Sequence, residues 1–246
     1  LERILSTIDH QRVDLIYVFG TTATQAVLKK FTTMPVVFNI VSHPVASGII
    51  KEWERSGNNA TGCSNLVPME NQLKTLKKVV KYRRLGIIYN PREPNSVIQR
   101  NLAAELQEQL DFQLIDFKIS NPGQLAKVMP RLQKTVDAVY LPADSLMISL
   151  GEKLAEWINR FKIPSLAATE SMVTEHGLLL GLQPSYHQLG LLAAEKALRI
   201  LKGEAPGRIP TSHLNFFNMT VNLSTARWID VQLPTSILMM ADKIVR

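Results

Sequence analysis

Residues 84–107 read RLGIIYNPREPNSVIQRNLAAELQ, and this stretch decides the fold class. The apolar run at 85–89 predicts a buried strand, and the spacing of apolar residues after it predicts a helix over 96–110. Asn95 and Ser96 are residue types that favour the start of a helix. A strand that turns directly into a helix is the repeating unit of an α/β fold.

The same alternation of strand and helix continues on both sides of this stretch. Short β-rich apolar runs alternate with longer helical patterns, which is typical of parallel sheets flanked by helices. We therefore predict an α/β protein. The predicted strands are 14–19, 36–41, 85–89, 112–118, 137–141, 164–168 and 178–182, and the predicted helices are 22–31, 70–81, 96–110, 122–134, 147–161 and 186–203.

The alternation of strand and helix patterns is interrupted between about residues 55 and 67, where the chain is polar and contains glycine. Such a segment favours a crossing between two lobes over a hairpin. We predict a first lobe of residues 1–66 plus about 183–205 and a second of 67–182 plus about 206–246, with hinges near 62–68 and 181–185.

The first lobe has only two predicted strands in about 60 residues, too few for a domain. We expect that its opening strand and helix are missing before residue 1 and also that later chain returns to complete it. Any targeting segment would likewise precede residue 1.

The composition is that of a folded globular protein, with 46% hydrophobic and 20% charged residues among 246. No run approaches the roughly 18 apolar residues of a membrane-spanning helix, so we predict no span in this chain. The single cysteine, Cys63, excludes an internal disulfide.

The net charge of +7 raises the question of a nucleic-acid partner. The basic residues between 74 and 84 have the spacing of a solvated helix face and its end, and no aromatic residues alternate with them as base stacking requires. We predict no nucleic-acid partner.

Polar residues follow five of the predicted strands. Because ligands bind beyond the carboxyl ends of parallel strands, these residues are candidates for a binding site. The same residue types are also the favoured helix N-caps, and each single one has that alternative explanation. The candidates are Thr21, Thr22, Ser42, His43, Asn95, Ser96, Asp144, Glu170 and Ser171.

Taken together, these candidates exceed what helix capping requires. Hydroxyl groups and helix N-termini suit a carboxylate, and Asp144 or Glu170 suits an ammonium group. The set predicts a cleft for an amino-acid-like zwitterion.

Catalytic and metal-binding patterns are missing from the sequence. It contains no GxSxG, Walker, HExxH or GxGxxG pattern in a suitable position, and its five histidines lack ligand spacing. We therefore predict a protein that is not an enzyme and needs no cofactor or metal.

The order of motifs resembles the ABC transporter substrate-binding family that includes the tryptophan- and tyrosine-binding proteins. The resemblance covers essentially the whole chain. It rests on DLIYVFGTTATQAVL (14–28), MPVVFNIVSHPVASGII (34–50), GNNATGCS (57–64), RLGIIYNPREPNS (84–96), VDAVYLPADS (136–145), IPSLAATES (163–171), LGLLAAEKALRILKGEAPGRIP (189–210) and NFFNMTVNLSTARWIDVQLP (215–234).

This resemblance implies a periplasmic-binding-protein fold of the first type: two Rossmann-like lobes, three crossings and a ligand at the hinge. It implies an exported, often lipid-anchored protein that delivers a small molecule to ABC permease and ATPase subunits. The family pattern maps onto the strand-end candidates named above, with one departure. Where the family usually has an acid after the serine, this chain has His43, which removes a negative charge from the predicted cleft.

Two other functions remain open at this point. One is a ligand-sensing regulatory domain of the same fold, which would need a DNA-binding segment before residue 1. The other is an enzyme on a paired Rossmann scaffold, since a fold does not fix a function.

Overall fold

The computed structural model describes residues 2–8 and 12–246 and divides into two compact units. The first unit comprises Leu1–Leu66 and Pro184–Phe216, and the second comprises Val67–Gln183 and Phe217–Arg246. The chain thus passes from one unit to the other three times. The opening sequence LERILSTIDHQRVDLIYVFG predicts an amphipathic helix that runs into a strand, and this prediction falls partly on residues 1 and 9–11, outside the described residues.

The helices and strands alternate along most of the chain. The strands are β1 (Ile16–Phe19), β2 (Val36–Asn39), β3 (Ala60–Ser64), β4 (Arg84–Tyr89), β5 (Gln113–Lys118), β6 (Ala138–Leu141), β7 (Ser165–Ala167), β8 (Leu180–Gln183), β9 (Ser212–His213), β10 (Asn218–Asn222) and β11 (Lys243–Val245). The α-helices are α1 (Glu2–Leu5), α2 (Thr21–Lys30), α3 (Met69–Val79), α4 (Pro94–Glu105), α5 (Leu125–Val128), α6 (Leu132–Thr135), α7 (Ser145–Ser149), α8 (Gly151–Arg160), α9 (Ser171–Thr174), α10 (Tyr186–Leu201), α11 (Leu223–Trp228) and α12 (Thr235–Met240). Single 3₁₀ turns lie at Pro122–Gln124, Met129–Arg131 and Pro206–Arg208.

The first unit is built on a four-stranded parallel sheet in the order β1-β2-β3-β9. One apolar cluster forms around Phe31, Val36 and Phe38, and another around Val37, Cys63 and Leu189. Neighbouring residues of β2 belong to different clusters because successive side chains in a strand point to opposite faces. Both faces of this sheet are therefore covered.

The second unit is built on a seven-stranded sheet in the order β11-β10-β8-β7-β6-β4-β5. Its strands from β4 to β8 are parallel, whereas β10 runs antiparallel to β8. Ile87 and Tyr140 belong to one apolar cluster, and Ile88 and Val139 to another. Burial on both faces explains why these strands are continuous apolar runs in the sequence.

The structure contains a strand, β3, within residues 55–67, where the sequence predicted only a polar crossing between lobes. All five residues of the strand are buried, and it lies between β2 and β9. The sequence ATGCS was misleading because its residues are small and polar. The Thr61 hydroxyl donates to the Ile209 carbonyl at 2.8 Å, and the Ser64 hydroxyl donates to the Ser42 carbonyl at 3.0 Å, which offsets the cost of burying them.

The pairing of β3 with β9 also determines where the later chain belongs. Cys63 lies opposite Ser212 and Ser64 opposite His213. Residues 206–216 therefore belong to the first unit, whereas the sequence placed them in the second lobe. The chain crosses between the units after Leu66 and after Gln183, within the predicted segments 62–68 and 181–185, but Gly62 and Gly181 themselves lie inside strands β3 and β8.

Other predictions failed where local sequence signals were weak. The helix predicted at 122–134 is a series of short turns, because Pro130 lacks the N–H that a continuous helix needs. The helix predicted at 147–161 is divided at Leu150 into α7 and α8. The prediction also missed the short strands β9, β10 and β11.

Gly62 is required by the close packing of β3 against β2. A Cβ atom at this position would lie 2.1 Å from the Phe38 carbonyl oxygen and 2.6 Å from its ring. We expect Gly62→Ala to lower the free energy of unfolding in urea by at least the ~1–3 kcal/mol typical of overpacking. Gly190→Ala is the matched control.

A Cβ atom on Gly190, within α10, meets no atom within 4 Å. Alanine there should raise the free energy of unfolding by about 0.5–1 kcal/mol, because it stiffens the unfolded chain. Equal changes in the free energy of unfolding for Gly62→Ala and Gly190→Ala would contradict the close packing of β3 against β2.

Candidate functional site

The order of strands reverses in the second unit between β4 and β6. From β4 the chain continues to β5 on one side, whereas β6, β7 and β8 succeed one another on the other side. Ligands in open parallel sheets bind beyond the carboxyl ends of the strands at such a reversal. Two loops meet this description: residues 90–93, here the β4 loop, and residues 142–144, here the β6 loop.

Asp144 joins these two loops. Its carboxylate is fully buried and accepts hydrogen bonds from the backbone N–H of Asn90 at 2.9 Å, from the backbone N–H of Met147 at 3.0 Å and from the hydroxyl of Ser96. Both carboxylate oxygens are used. Asp144 therefore caps α7 and at the same time holds the β4 loop and the first turn of α4 in place.

Glu93 reaches the same place from the β4 loop. It precedes α4 without capping it, and its half-buried carboxylate instead accepts a hydrogen bond from the Ser145 backbone N–H at 3.1 Å. Burial, and secondarily the negative charge of Asp144, raise the pKa of Glu93 to about 7. Glu93 thus changes its charge near neutral pH.

Asn95 and Ser96 lie in the first turn of α4, because the helix begins at Pro94. The Asn95 amide donates to the Ala143 carbonyl in the β6 loop at 2.8 Å. Its side-chain oxygen is buried and has no hydrogen-bond partner among the described residues. An unpaired acceptor beside a strand reversal is a position at which a ligand donor would be stabilised.

Glu170 and Ser171 follow the next strand of the sheet, β7. Ser171 begins the short helix α9, and the Glu170 carboxylate pairs with the Lys243 ammonium of β11 at 2.6 Å. No described contact therefore links Glu170 to Asp144 or to the residues that bond to Asp144. Its charge is already balanced by a lysine.

In the first unit, the candidates follow two neighbouring strands. Thr21 is buried and Thr22 exposed at the start of α2, directly after β1. Ser42 lies a few residues beyond β2, and its hydroxyl donates to the Asn65 side-chain oxygen at 3.0 Å. Since β1 and β2 are parallel neighbours, these residues share one edge of the sheet.

His43 adds no positive charge to this edge at neutral pH. Burial lowers the pKa of its imidazole to about 4, so the ring is neutral at pH 7. Its carbonyl accepts hydrogen bonds from the backbone N–H of Ser47 at 2.9 Å and from the Ser47 hydroxyl at 2.7 Å. The described candidates of the first unit therefore offer neutral groups.

Sequence reasoning missed Glu93 because the residue stands between two prolines and next to Arg92, in what reads as a solvated turn. The signal that could have found it is its position in the loop that follows the buried strand β4. The contact with Ser145, 52 residues along the chain, is a tertiary feature that no local pattern contains.

A cavity of about 600 Å³ lies at the opposite, amino edge of the second sheet. It is lined mainly by basic residues and is wide open to solvent. Its charges are largely used within the chain: Arg84 pairs with Asp137 at 2.6 Å, and Lys77 donates to the Tyr82 carbonyl at 3.3 Å. We place the candidate site at the carboxyl edge, where the strand order reverses and an acceptor is unpaired.

Within the part of the chain that the structure describes, no helix is both long and apolar enough to cross a membrane. Likewise, residues 2–8 and 12–246 contain no group of three His, Cys, Asp or Glu side chains placed to hold a metal ion.

The family model described as ABC transporter substrate binding protein matches residues 1–245. The chain belongs to this family. The predicted membership is therefore confirmed, and with it the prediction of a substrate-binding protein and not an enzyme.

Relatives and solved structures extend this result. The chain is 28% identical over 232 residues to a tyrosine-binding protein of Clostridioides difficile, which covers 94% of this chain and 67% of that protein. A conserved domain protein of Vibrio cholerae shares its fold with a TM-score of 0.90 at 24% identity, over 98% of this chain and 80% of the other. An ABC domain from Streptococcus pneumonia, solved with L-Trp, gives 0.89 at 21% identity, over 99% and 83%.

These likenesses confirm the predicted fold class, an α/β periplasmic-binding-protein fold of the first type. They do not test the individual candidate residues, whose roles in binding stay predictions.

The role of Asp144 in holding the substrate-binding protein's loops can be measured. Asparagine would place an N–H₂ group against donors that now point at a carboxylate, leaving buried donors unpaired. We expect Asp144→Asn to lower the free energy of unfolding by about 1–3 kcal/mol in urea. Asp230→Asn, which removes only an exposed pair with Lys162, should change it by less than about 1 kcal/mol.

The raised pKa of Glu93 predicts a pH-dependent effect on stability. The folded state binds this proton more tightly than the unfolded chain, whose Glu pKa is near 4.5. Glu93 therefore costs stability progressively as pH rises from about 4.5 to about 7, and the full cost is present above that. Glu93→Gln should raise the unfolding free energy at pH 8 and change it little at pH 4. A gain that is the same at both pH values would contradict the assignment.

Proposed function

We propose that this chain is the solute-binding component of an ABC importer and that its solute is an amino acid. The observation that carries the proposal is the family match over residues 1–245. The amino-acid class is supported by the tyrosine-binding relative, with which the chain shares 28% identity over 94% of its length. It is also supported by hydroxyl, amide and carboxyl groups at the carboxyl edges of both sheets.

In this proposal the candidate residues of the two units differ in chemical character. The first unit supplies neutral groups from Thr21, Thr22, Ser42 and His43. The second supplies polar groups around the β4 and β6 loops. Hydrogen bonds to hydroxyls suit a ligand carboxylate, and an acidic environment suits its ammonium group.

The proposal places the protein on the extracytoplasmic side, where it releases its solute to permease and ATPase subunits. Delivery requires a conformation that releases the solute. Solute binding shifts the protein away from that conformation only to the extent that the solute binds the other conformation more tightly. The same family match supports this cellular role, since it is what a substrate-binding protein of an ABC transporter does.

A thermal-shift screen of the twenty L-amino acids, with ribose, glucose and succinate as non-amino-acid controls, tests the proposed function. A ligand that binds only the folded protein at a hundred times its dissociation constant adds about 2.7 kcal/mol of stability. We expect one or a few amino acids to raise the melting temperature. A shift with the sugars or succinate alone would contradict the amino-acid proposal, and no shift with any compound would contradict solute binding.

The contribution of the first unit is tested at Thr22, whose exposed side chain can change without altering the core. Thr22→Val removes a hydroxyl at nearly constant volume and should weaken binding of the amino acid found in the screen by about two- to tenfold, the value of one neutral hydrogen bond. Thr32→Val changes another exposed threonine, after α2, and should leave affinity unchanged. Equal affinities of all three proteins would remove Thr22 from the site.

A further inference from the structure

Three carboxylates occur in the loops that follow β4, β6 and β7: Glu93, Asp144 and Glu170. Two of them are already satisfied. Asp144 is fully buried and uses both oxygens for internal hydrogen bonds, and Glu170 pairs with Lys243. Asp144 would lose a bond that the structure already makes if it turned to a ligand, and the charge of Glu170 is already paired with a lysine.

Glu93 is different. Its described partners are the neutral backbone N–H and hydroxyl of Ser145, at 3.1–3.4 Å, and no ion pair of the described residues includes it. It lies beside a buried carboxylate and is partly buried itself. A carboxylate in such surroundings is stabilised most by a cation brought from outside.

A second, independent observation points to a ligand at the same place. Asn95 is 6% exposed, and its amide is fixed by a hydrogen bond to the Ala143 carbonyl in the β6 loop. The other half of the amide, its oxygen, is buried and unpartnered among the described residues. Buried acceptors without a donor are costly and uncommon, so this oxygen is suited to a donor that the chain does not itself supply.

We propose that Glu93 is the residue that recognises the ammonium group of the ligand, with the Asn95 side-chain oxygen as a second acceptor. This inference rests on the proposed function, which it deepens by assigning the cation to the β4 loop and by giving Asp144 a positioning role. Asp144 holds the Asn90 backbone and the Ser96 hydroxyl, and so fixes both ends of the segment that carries Glu93 and Asn95.

The surroundings of Glu93 give the binding a pH dependence. Asp144 is the titratable group that faces it from the β6 loop, and Arg92, its neighbour in the β4 loop, is exposed. An ammonium group favours the charged form of Glu93 and so lowers its pKa from about 7. Binding near pH 7 therefore releases protons, and the affinity falls as the pH drops below 7.

Calorimetric titration at pH 7.5 tests the assignment with matched probes: L-tyrosine against 3-(4-hydroxyphenyl)propanoate, then each other L-amino acid that shifts the melting temperature against its own deaminated acid. For the wild type we expect the amino acid to bind at least tenfold more tightly than the deaminated probe. Glu93→Gln should weaken the amino acid by tenfold or more, as expected for a charge-assisted hydrogen bond, and leave the deaminated acid nearly unchanged.

Glu105→Gln is the matched control, since Glu105 is an exposed acid at the far end of the same helix, α4. It should bind like the wild type. A parallel titration in two buffers of different ionisation enthalpy should show proton release for the wild type and none for Glu93→Gln. This readout separates recognition through charge from a merely structural effect.

The outcomes separate the two proposals. If an amino acid binds and Glu93→Gln retains its affinity and the same proton release, the inference is overturned and the proposed function stands. If the deaminated acids bind as tightly as the amino acids, the inference also fails. If no amino acid binds the wild type, the proposed function fails, and the inference fails with it.

Discussion

The second unit depends on a single buried carboxylate. Asp144 lies at the end of β6, and its bonds to Asn90, Ser96 and Met147 tie two strand ends and two helices to one another. Burying a charge costs several kcal/mol unless it is hydrogen-bonded, and three donors offset that cost here. Because two of the donors, Asn90 and Ser96, follow the neighbouring strand β4, the bond network also ties the carboxyl ends of β4 and β6 together.

The negative charge of Asp144 also affects the neighbouring residue Glu93. Burial, and secondarily the negative charge of Asp144, raise the pKa of Glu93 to about 7, so that Glu93 is partly protonated at neutral pH. Asp144 and Glu93 are both carboxyl groups, but their different environments give them different roles. One is saturated and holds the structure, and the other is poised to change charge when a cation arrives.

Sequence patterns predicted the parallel core well because strands β4 and β6 are largely apolar runs, each followed by a helix signal. They failed at β3, whose small polar residues are buried only because distant carbonyls, such as that of Ile209, accept their hydroxyl hydrogen bonds. They also failed at β9, a strand of two residues that exists by pairing with β3. Partners about 150 residues away leave no trace in a local window.

The same limit applies to the candidate site. Listing strand ends found Asn95, Ser96 and Asp144, which the structure brings into one cluster, because the carboxyl ends of parallel strands share an edge. The sequence could not distinguish a saturated carboxylate from an available one. That distinction needs the Asn90 and Met147 donors on Asp144 and the lysine on Glu170, none of which a motif reveals.

The carboxyl edges of the two units differ in the charge of their candidate residues. The first unit presents hydroxyl groups and a neutral His43, with an imidazole pKa of about 4. The second presents Glu93, an acid with no cation among its described partners. Under the proposed function, the ammonium group of an amino acid therefore gains most from contact with Glu93. His43 adds no charge to the edge of the first unit, because its imidazole is neutral at pH 7, whereas an aspartate at this position would add a negative charge.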